Sequence, residues 1–160
     1  FEPGLKEMVE RNARENRLRF VSDNKKVIEH GDVIFICVGT PPKENWEVEL
    51  RYVEDVAKEI AQNMKSYKVI VHKSTVPVET GDKVKSIIKK NIDKKVDFDV
   101  VSNPEFLREG SAIEDTLHPD RIVVGSDSEK AIGIMKNIYS PIKAPLIVTN
   151  IKSAEMIKHA

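Results

Sequence analysis

The feature that most constrains this chain is an alternation, kept up along most of its length, between short β-branched runs and amphipathic helical segments. Val33-Ile34-Phe35-Ile36-Cys37-Val38, Lys68 to Val71, Phe98 to Val101, Ile122 to Val124 and Leu146 to Val148 are the runs. They read as strands, the first as one buried on both faces. Between them, Val53, Val56, Ala57, Ile60, Ala61 and Met64 recur at helical spacing. Val84, Ile87 and Ile88 do the same, followed by Ala131, Ile134, Met135 and Ile138. Further helices are predicted at Leu5 to Ala13, at Asp23 to Ile28 with Asp23 as cap, at Ser111 to Thr116, and from Ser153 to Ala160. Leu18 to Val21 reads as one more β-prone run. Strands alternating with helices imply an α/β fold: a Rossmann-like parallel sheet with helices on both faces.

In such a sheet, ligands bind beyond the carboxyl ends of the strands. The unusual sequence collects there. Strand 33–38 runs into Gly39-Thr40-Pro41-Pro42, strand 68–71 into Lys73-Ser74-Thr75-Val76-Pro77, and strand 98–101 into Asn103-Pro104-Glu105-Phe106-Leu107-Arg108-Glu109-Gly110. Each has two readings. The first is either a strand stop or a stiff loop whose glycine lets a backbone approach a ligand. Thr75 either caps the following helix or holds a ligand or water with a hydroxyl that donates and accepts. Glu105 and Glu109, four apart, would share one face of a helical turn, as a surface pair or as a base and a ligand contact in a cleft.

Composition narrows the class. Lys and Arg total 26 and Asp and Glu total 26, so no basic excess points to nucleic acid or to an anionic membrane. The interrupted basic run Lys89, Lys90, Lys94, Lys95 reads as a solvated helix end and turn. No apolar run approaches the roughly 18 residues of a membrane span. The single cysteine, Cys37, excludes an intrachain disulfide and suits a reducing compartment, so a cytoplasmic location is expected. Inside an apolar strand, Cys37 would be buried and inert. Four scattered histidines give no metal-ligand spacing, and no metal is expected.

Taken in order, these segments resemble the UDP-glucose and GDP-mannose dehydrogenase family. The matching stretches are Glu2-Pro3-Gly4-Leu5, Val38 to Pro42, Lys73 to Val78, Asn103 to Gly110, His118 to Gly125, and Ser153-Ala154-Glu155-Met156-Ile157-Lys158. Asp120-Arg121-Ile122-Val123 leans toward the branch that oxidises UDP-glucose. The resemblance implies NAD as cofactor and oxidation of the sugar's 6-hydroxyl to a carboxylate in two hydride transfers, through a cysteine thioester. It implies catalytic roles for Thr75, Glu105 and Lys158: holding the water, acid–base work in hydrolysis, and stabilising charge on the sugar oxygen. It implies cofactor contacts at Val38, Gly39, Thr40, Pro41, Ser74, Thr75, Val76 and Glu109. Substrate contacts are implied at Glu105, Phe106, Leu107, Arg108, Glu109 and Lys158.

Two family features are missing from these 160 residues. No G-x-G-x-x-G occurs, so the turn that cradles a pyrophosphate is absent, and Cys37 is a poor match for the nucleophile. Since the chain opens at Phe1 and closes within an apparent helix, it is expected to be a piece of a longer protein. Residues 1–150 would be the C-terminal part of an NAD-binding domain truncated at its N-terminal βαβ. Residues 151–160 would begin a central, linking helix through which family enzymes form homodimers or higher homo-oligomers. The piece alone is expected to be inactive. The alternatives are activity on UDP-N-acetylmannosamine or GDP-mannose, or a nucleotide-binding module without chemistry.

Overall fold

The computed structural model describes residues 2–93 and 95–159. Its elements follow the order α1 (Leu5–Arg14), α2 (Asn24–His30), β1 (Val33–Ile36), α3 (Arg51–Asn63), β2 (Lys68–His72), α4 (Thr80–Asn91), β3 (Phe98–Ser102), α5 (Ala112–Leu117), β4 (Ile122–Gly125), α6 (Glu129–Tyr139), β5 (Leu146–Thr149) and α7 (Ile151–Ile157). The five strands form one sheet in the order β1-β2-β3-β4-β5. β1, β2 and β3 run parallel, as do β4 and β5; the two groups meet antiparallel at Ser102 and Gly125.

Both faces of the sheet are covered, and strand alternation shows how. On one side Ile34, Ile36, Ile70 and Val100 pack with Val53, Ile60, Val84, Ile88 and Ile151 from α3, α4 and α7. On the other, Val69, Val71, Val101 and Val124 pack with Ala131 and Met135 of α6. Successive strand side chains point to opposite faces, so β2 serves both cores at once. Each such valine or isoleucine contributes about 1.5–3 kcal/mol when fully buried. Three helices start on side chains suited to the task. Asp23 accepts the Lys25 N–H, Ser128 that of Ala131, and Asn150 that of Ser153.

Three expectations fail. Leu18 to Val21 is no strand; Phe20 is 78% exposed, and no neighbouring strand among the described residues offers it a ladder. β1 ends at Ile36, and it is not buried on both faces, since Phe35 and Cys37 are exposed. At the sheet's edge, one side of β1 has less to pack against. Thr75 does not cap α4, whose cap position is Glu79. The basic run does sit at the end of α4, although Lys94 lies outside the described residues. The last helix begins two residues earlier than predicted and ends at Ile157; Ala160 lies outside the described residues.

His72 closes β2 with 1% of its surface exposed and neither ring nitrogen partnered. Burial draws its pKa down from 6.5 to about 4. The unfolded chain therefore takes up a proton that the folded one refuses. Stability is lost as pH falls through that window, by up to about 3 kcal/mol. His72→Val is expected to flatten the dependence, which urea unfolding at pH 7 and pH 4 would measure.

Candidate active site

Three loops leave the carboxyl ends of β1, β2 and β3 on one side of the sheet, and specific bonds tie them together. Thr40 Oγ1 donates to the Thr75 carbonyl oxygen at 2.8 Å, and Ser74 Oγ donates to that of Val38 at 2.7 Å. The first loop is thereby fastened to the second. Pro41 accepts the Glu49 N–H, and Pro42 pairs with Val48, which folds the rest of that loop into a small hairpin. Gly39 is open: a Cβ built there meets nothing within 4 Å.

The C-terminal end of α7 spans the second and third loops. Lys158 Nζ pairs with Glu105 Oε1 at 2.9 Å and also donates to the Glu105 carbonyl oxygen. Next to it, His159 Nε2 lies 2.8 Å from the Val76 carbonyl oxygen. Lys158 is a partly buried ammonium facing the site, with 20% of its side chain exposed, and it sits 5.6 Å from the Phe106 ring centroid. Arg121 stacks on the same ring at 4.8 Å.

Glu105 is held from two sides. Its Oε2 accepts the Leu107 N–H at 2.9 Å, while Oε1 meets Lys158. Burial raises its pKa, but the Leu107 N–H and Lys158 more than offset this, and the net direction is downward. Glu105 is therefore a carboxylate at neutral pH, able to take a proton from a water or hydroxyl. Cys37, one residue beyond β1, has its thiol pushed up in pKa by desolvation. It is exposed, contrary to expectation, yet it is mostly a thiol and a weak nucleophile at neutral pH.

The third loop is anchored by groups far away in sequence. Glu2 accepts the Gly110 N–H at 3.1 Å and the Ile113 N–H at 3.2 Å. Arg108 forms an ion pair with Asp115 at 2.6 Å, which holds the Asp115 carboxyl down at about 2. Residues 103–108 are not helical, so Glu105 and Glu109 do not share a helical face. Pro104 and the Glu105–Leu107 turn explain this. Glu109 is exposed, next to Gly110, whose φ of 84° requires glycine. Phe106 and Leu107 are partly exposed along a cleft of about 720 Å³ that Lys73, Glu105, Arg108, Arg121 and Tyr139 also line.

Sequence reasoning missed two supports. Glu155, 2% exposed, accepts the N–H groups of Glu79 and Gly81, each at 2.7 Å. It thus caps α4 from another helix and ties α7 to the loop carrying Thr75. Asn103, 1% exposed, donates to the Val123 carbonyl and accepts the Tyr139 hydroxyl. Both lay inside motifs already noted, but only the fold reveals their partners. No group of metal-ligating residues occurs among the described residues. No helix there is long and apolar enough to cross a membrane.

Known proteins are similar to this chain in sequence and in fold. The sequence model of the UDP-glucose/GDP-mannose dehydrogenase family, NAD binding domain, matches residues 1–143. UDP-glucose 6-dehydrogenase TuaD of Bacillus subtilis (strain 168) is 51% identical over 160 residues, covering 100% of this chain and 35% of its own. The structure of a UDP-glucose dehydrogenase from the archaeon Pyrobaculum islandicum matches with a TM-score of 0.95 at 38% identity, over 99% of this chain and 38% of that one. A GDP-mannose dehydrogenase from Pseudomonas aeruginosa matches with a TM-score of 0.94 at 37% identity, over the same shares. The chain thus spans little more than a third of the length of these proteins.

The residues present fit part of an NAD. Gly39 leaves its backbone approachable. The hydroxyls of Thr40 and Ser74 spend their protons on loop carbonyls and keep lone pairs for a ligand's N–H or O–H. Nothing in the 160 residues supplies the glycine-rich turn for the pyrophosphate. With a Rossmann-like sheet and a family match running from residue 1 to residue 143, the chain belongs to the UDP-glucose/GDP-mannose dehydrogenase family.

Proposed function

We propose that residues 1–150 are the C-terminal part of the NAD-binding domain, and residues 151–160 the start of a linking helix, in an enzyme that oxidises UDP-glucose at C6 to UDP-glucuronate. The observation that carries this reading is the Glu105–Lys158 pair, fastened through the end of α7 to the loop of Ser74, Thr75 and Val76. A base, an ammonium and a hydroxyl loop thereby share one rim of the sheet.

The roles follow from the chemistry. NAD, when bound, accepts hydride from the sugar carbon. Val38, Gly39, Thr40, Pro41, Ser74, Thr75, Val76 and Glu109 are assigned to hold it. Lys158 stabilises negative charge on the sugar's C6 oxygen, since a compact ammonium in a partly desolvated site is worth more there than in water. A cysteine outside these 160 residues would add to the aldehyde as a thiohemiacetal, and loss of a second hydride, to a second NAD, would leave the thioester. Thr75 positions the hydrolytic water, and the Glu105 carboxylate takes its proton, so water supplies the second carboxylate oxygen. Phe106, Leu107, Arg108 and Glu109 line the sugar nucleotide. We place the enzyme in the cytoplasm as a homodimer or larger homo-oligomer joined through the linking helix.

A second reading, oxidation of GDP-mannose, draws support from the equally close fold of the Pseudomonas enzyme. NADH production by the complete protein separates the two, with UDP-glucose, GDP-mannose and UDP-N-acetylmannosamine offered in parallel. The highest kcat/KM is expected for UDP-glucose. A preference for either other sugar would move the assignment within the family, and no NADH from any would leave a nucleotide-binding module. The 160-residue chain alone is expected to give no turnover; measurable NADH from it would contradict the assignment of the nucleophile elsewhere.

A further inference from the structure

Lys73 stands one residue beyond β2, partly buried, with its backbone N–H donated to the Ile36 carbonyl at 3.1 Å. It lines the same cleft as Glu105 and Phe106. Its ammonium carries three donors. The hydrogen bond it makes among the described residues is a long one, 3.5 Å to Asn103 Oδ1. That oxygen already accepts the Tyr139 hydroxyl.

No carboxylate among the described residues lies within ion-pair distance of Lys73. Glu105 is near enough to act on it electrostatically, as are Cys37 and Lys158. Yet both Glu105 oxygens are engaged, one by Lys158 and the other by the Leu107 N–H. Burial lowers the pKa of Lys73, with Lys158 adding repulsion. The cleft is also lined by Glu114, Asp115 and Asp120, but Asp115 is paired with Arg108, Glu114 lies beside His118, and none of them comes within ion-pair distance of Lys73. An unpaired, partly desolvated cation with spare donors is costly unless an incoming oxygen completes it.

We propose that Lys73 receives the carboxylate formed at C6 of the sugar and gives the site its preference for the acid over the alcohol. The assignment rests on the sugar-nucleotide reading above. Substrate and product differ only at C6, where a neutral CH2OH becomes an anion. A cation placed there acts on one and hardly on the other. Lys158, already paired with Glu105, meets the sugar in both states. Lys73 brings an ammonium with no carboxylate in ion-pair distance, whereas Arg121, the other cleft cation without one among the described residues, is stacked on Phe106.

Calorimetric titration of the complete protein with UDP-glucose and with UDP-glucuronate, without NAD, tests this. Lys73→Met is expected to weaken UDP-glucuronate by about ten- to a hundred-fold, the worth of one charge-assisted hydrogen bond, and UDP-glucose by less than about three-fold. Lys73→Gln removes the charge but keeps a polar side chain, and the same contrast is expected of it. It carries the test if the methionine variant does not fold. Lys73→Arg, which restores the charge, is expected to recover part of the lost affinity for the acid. Equal weakening of both ligands, or of neither, in a folded variant overturns the proposal for Lys73. A wild-type protein that binds neither ligand overturns instead the sugar-nucleotide reading on which it rests.

Discussion

Replacing Glu105 with Gln is expected to let the complete enzyme release a burst of NADH and then nearly stall, with steady-state turnover down about 10²–10⁴-fold. The substitution keeps the size of the side chain and its acceptor for the Leu107 N–H, but it removes the charge that Lys158 pairs with and with it the base proposed to take water's proton. The first hydride transfer needs neither to the same degree. The block is therefore expected on hydrolysis, with the proposed thioester accumulating. Rapid-quench NADH measurements and intact mass would read both. Equal slowing of the burst and the steady state would mean that Glu105 only positions Lys158.

Substitution of Gly125 is expected to have the largest effect on stability. It ends β4 where α7 crosses closest. A Cβ there would overlap that of Ala154 and lie 2.8 Å from the Asn150 carbonyl oxygen and 3.1 Å from Ile151 Cα. The last two are backbone atoms, which cannot rotate away, so α7 must shift. Gly125→Ala is expected to cost about 3 kcal/mol, which lowers the thermal midpoint by roughly 5–10 °C. Because α7 carries Glu155 and Lys158, activity should fall with it. Gly133 is the control: exposed within α6, with nothing within 4 Å of a built Cβ. There alanine should stabilise by about 0.5–1 kcal/mol, through helix propensity alone. Thermal unfolding of the two variants side by side would separate packing from propensity.

The difference between these glycines shows what the sequence does and does not disclose. Gly125 follows two valines at a strand end and Gly133 stands between two isoleucines in a helix, but neither context shows that only the first is crossed closely by another helix. Strands and helices were legible because hydrophobic period is a local property: Val69 and Ile70 announce opposite faces of one strand without reference to any partner. That the three loops gather at one end of the sheet was legible because each follows the carboxyl end of a strand in a parallel run. Contacts across the chain were not. Glu155 meets the N–H of Gly81 across 74 positions, and Glu2 meets that of Ile113 across 111. The exposure of Cys37 and the unpaired run at Leu18 to Val21 escaped for a related reason. An apolar run predicts a wish to be covered, and the neighbours decide whether it is.

Two oxidations at a single carbon are the work proposed for this rim. The most direct measurement is the amount of NADH formed per UDP-glucose consumed by the complete protein. The arrangement of Thr75, Glu105 and Lys158 predicts two NADH for each sugar, with UDP-glucuronate as the product and no free aldehyde. One NADH per sugar with aldehyde released, or sugar consumed without NADH, would contradict it.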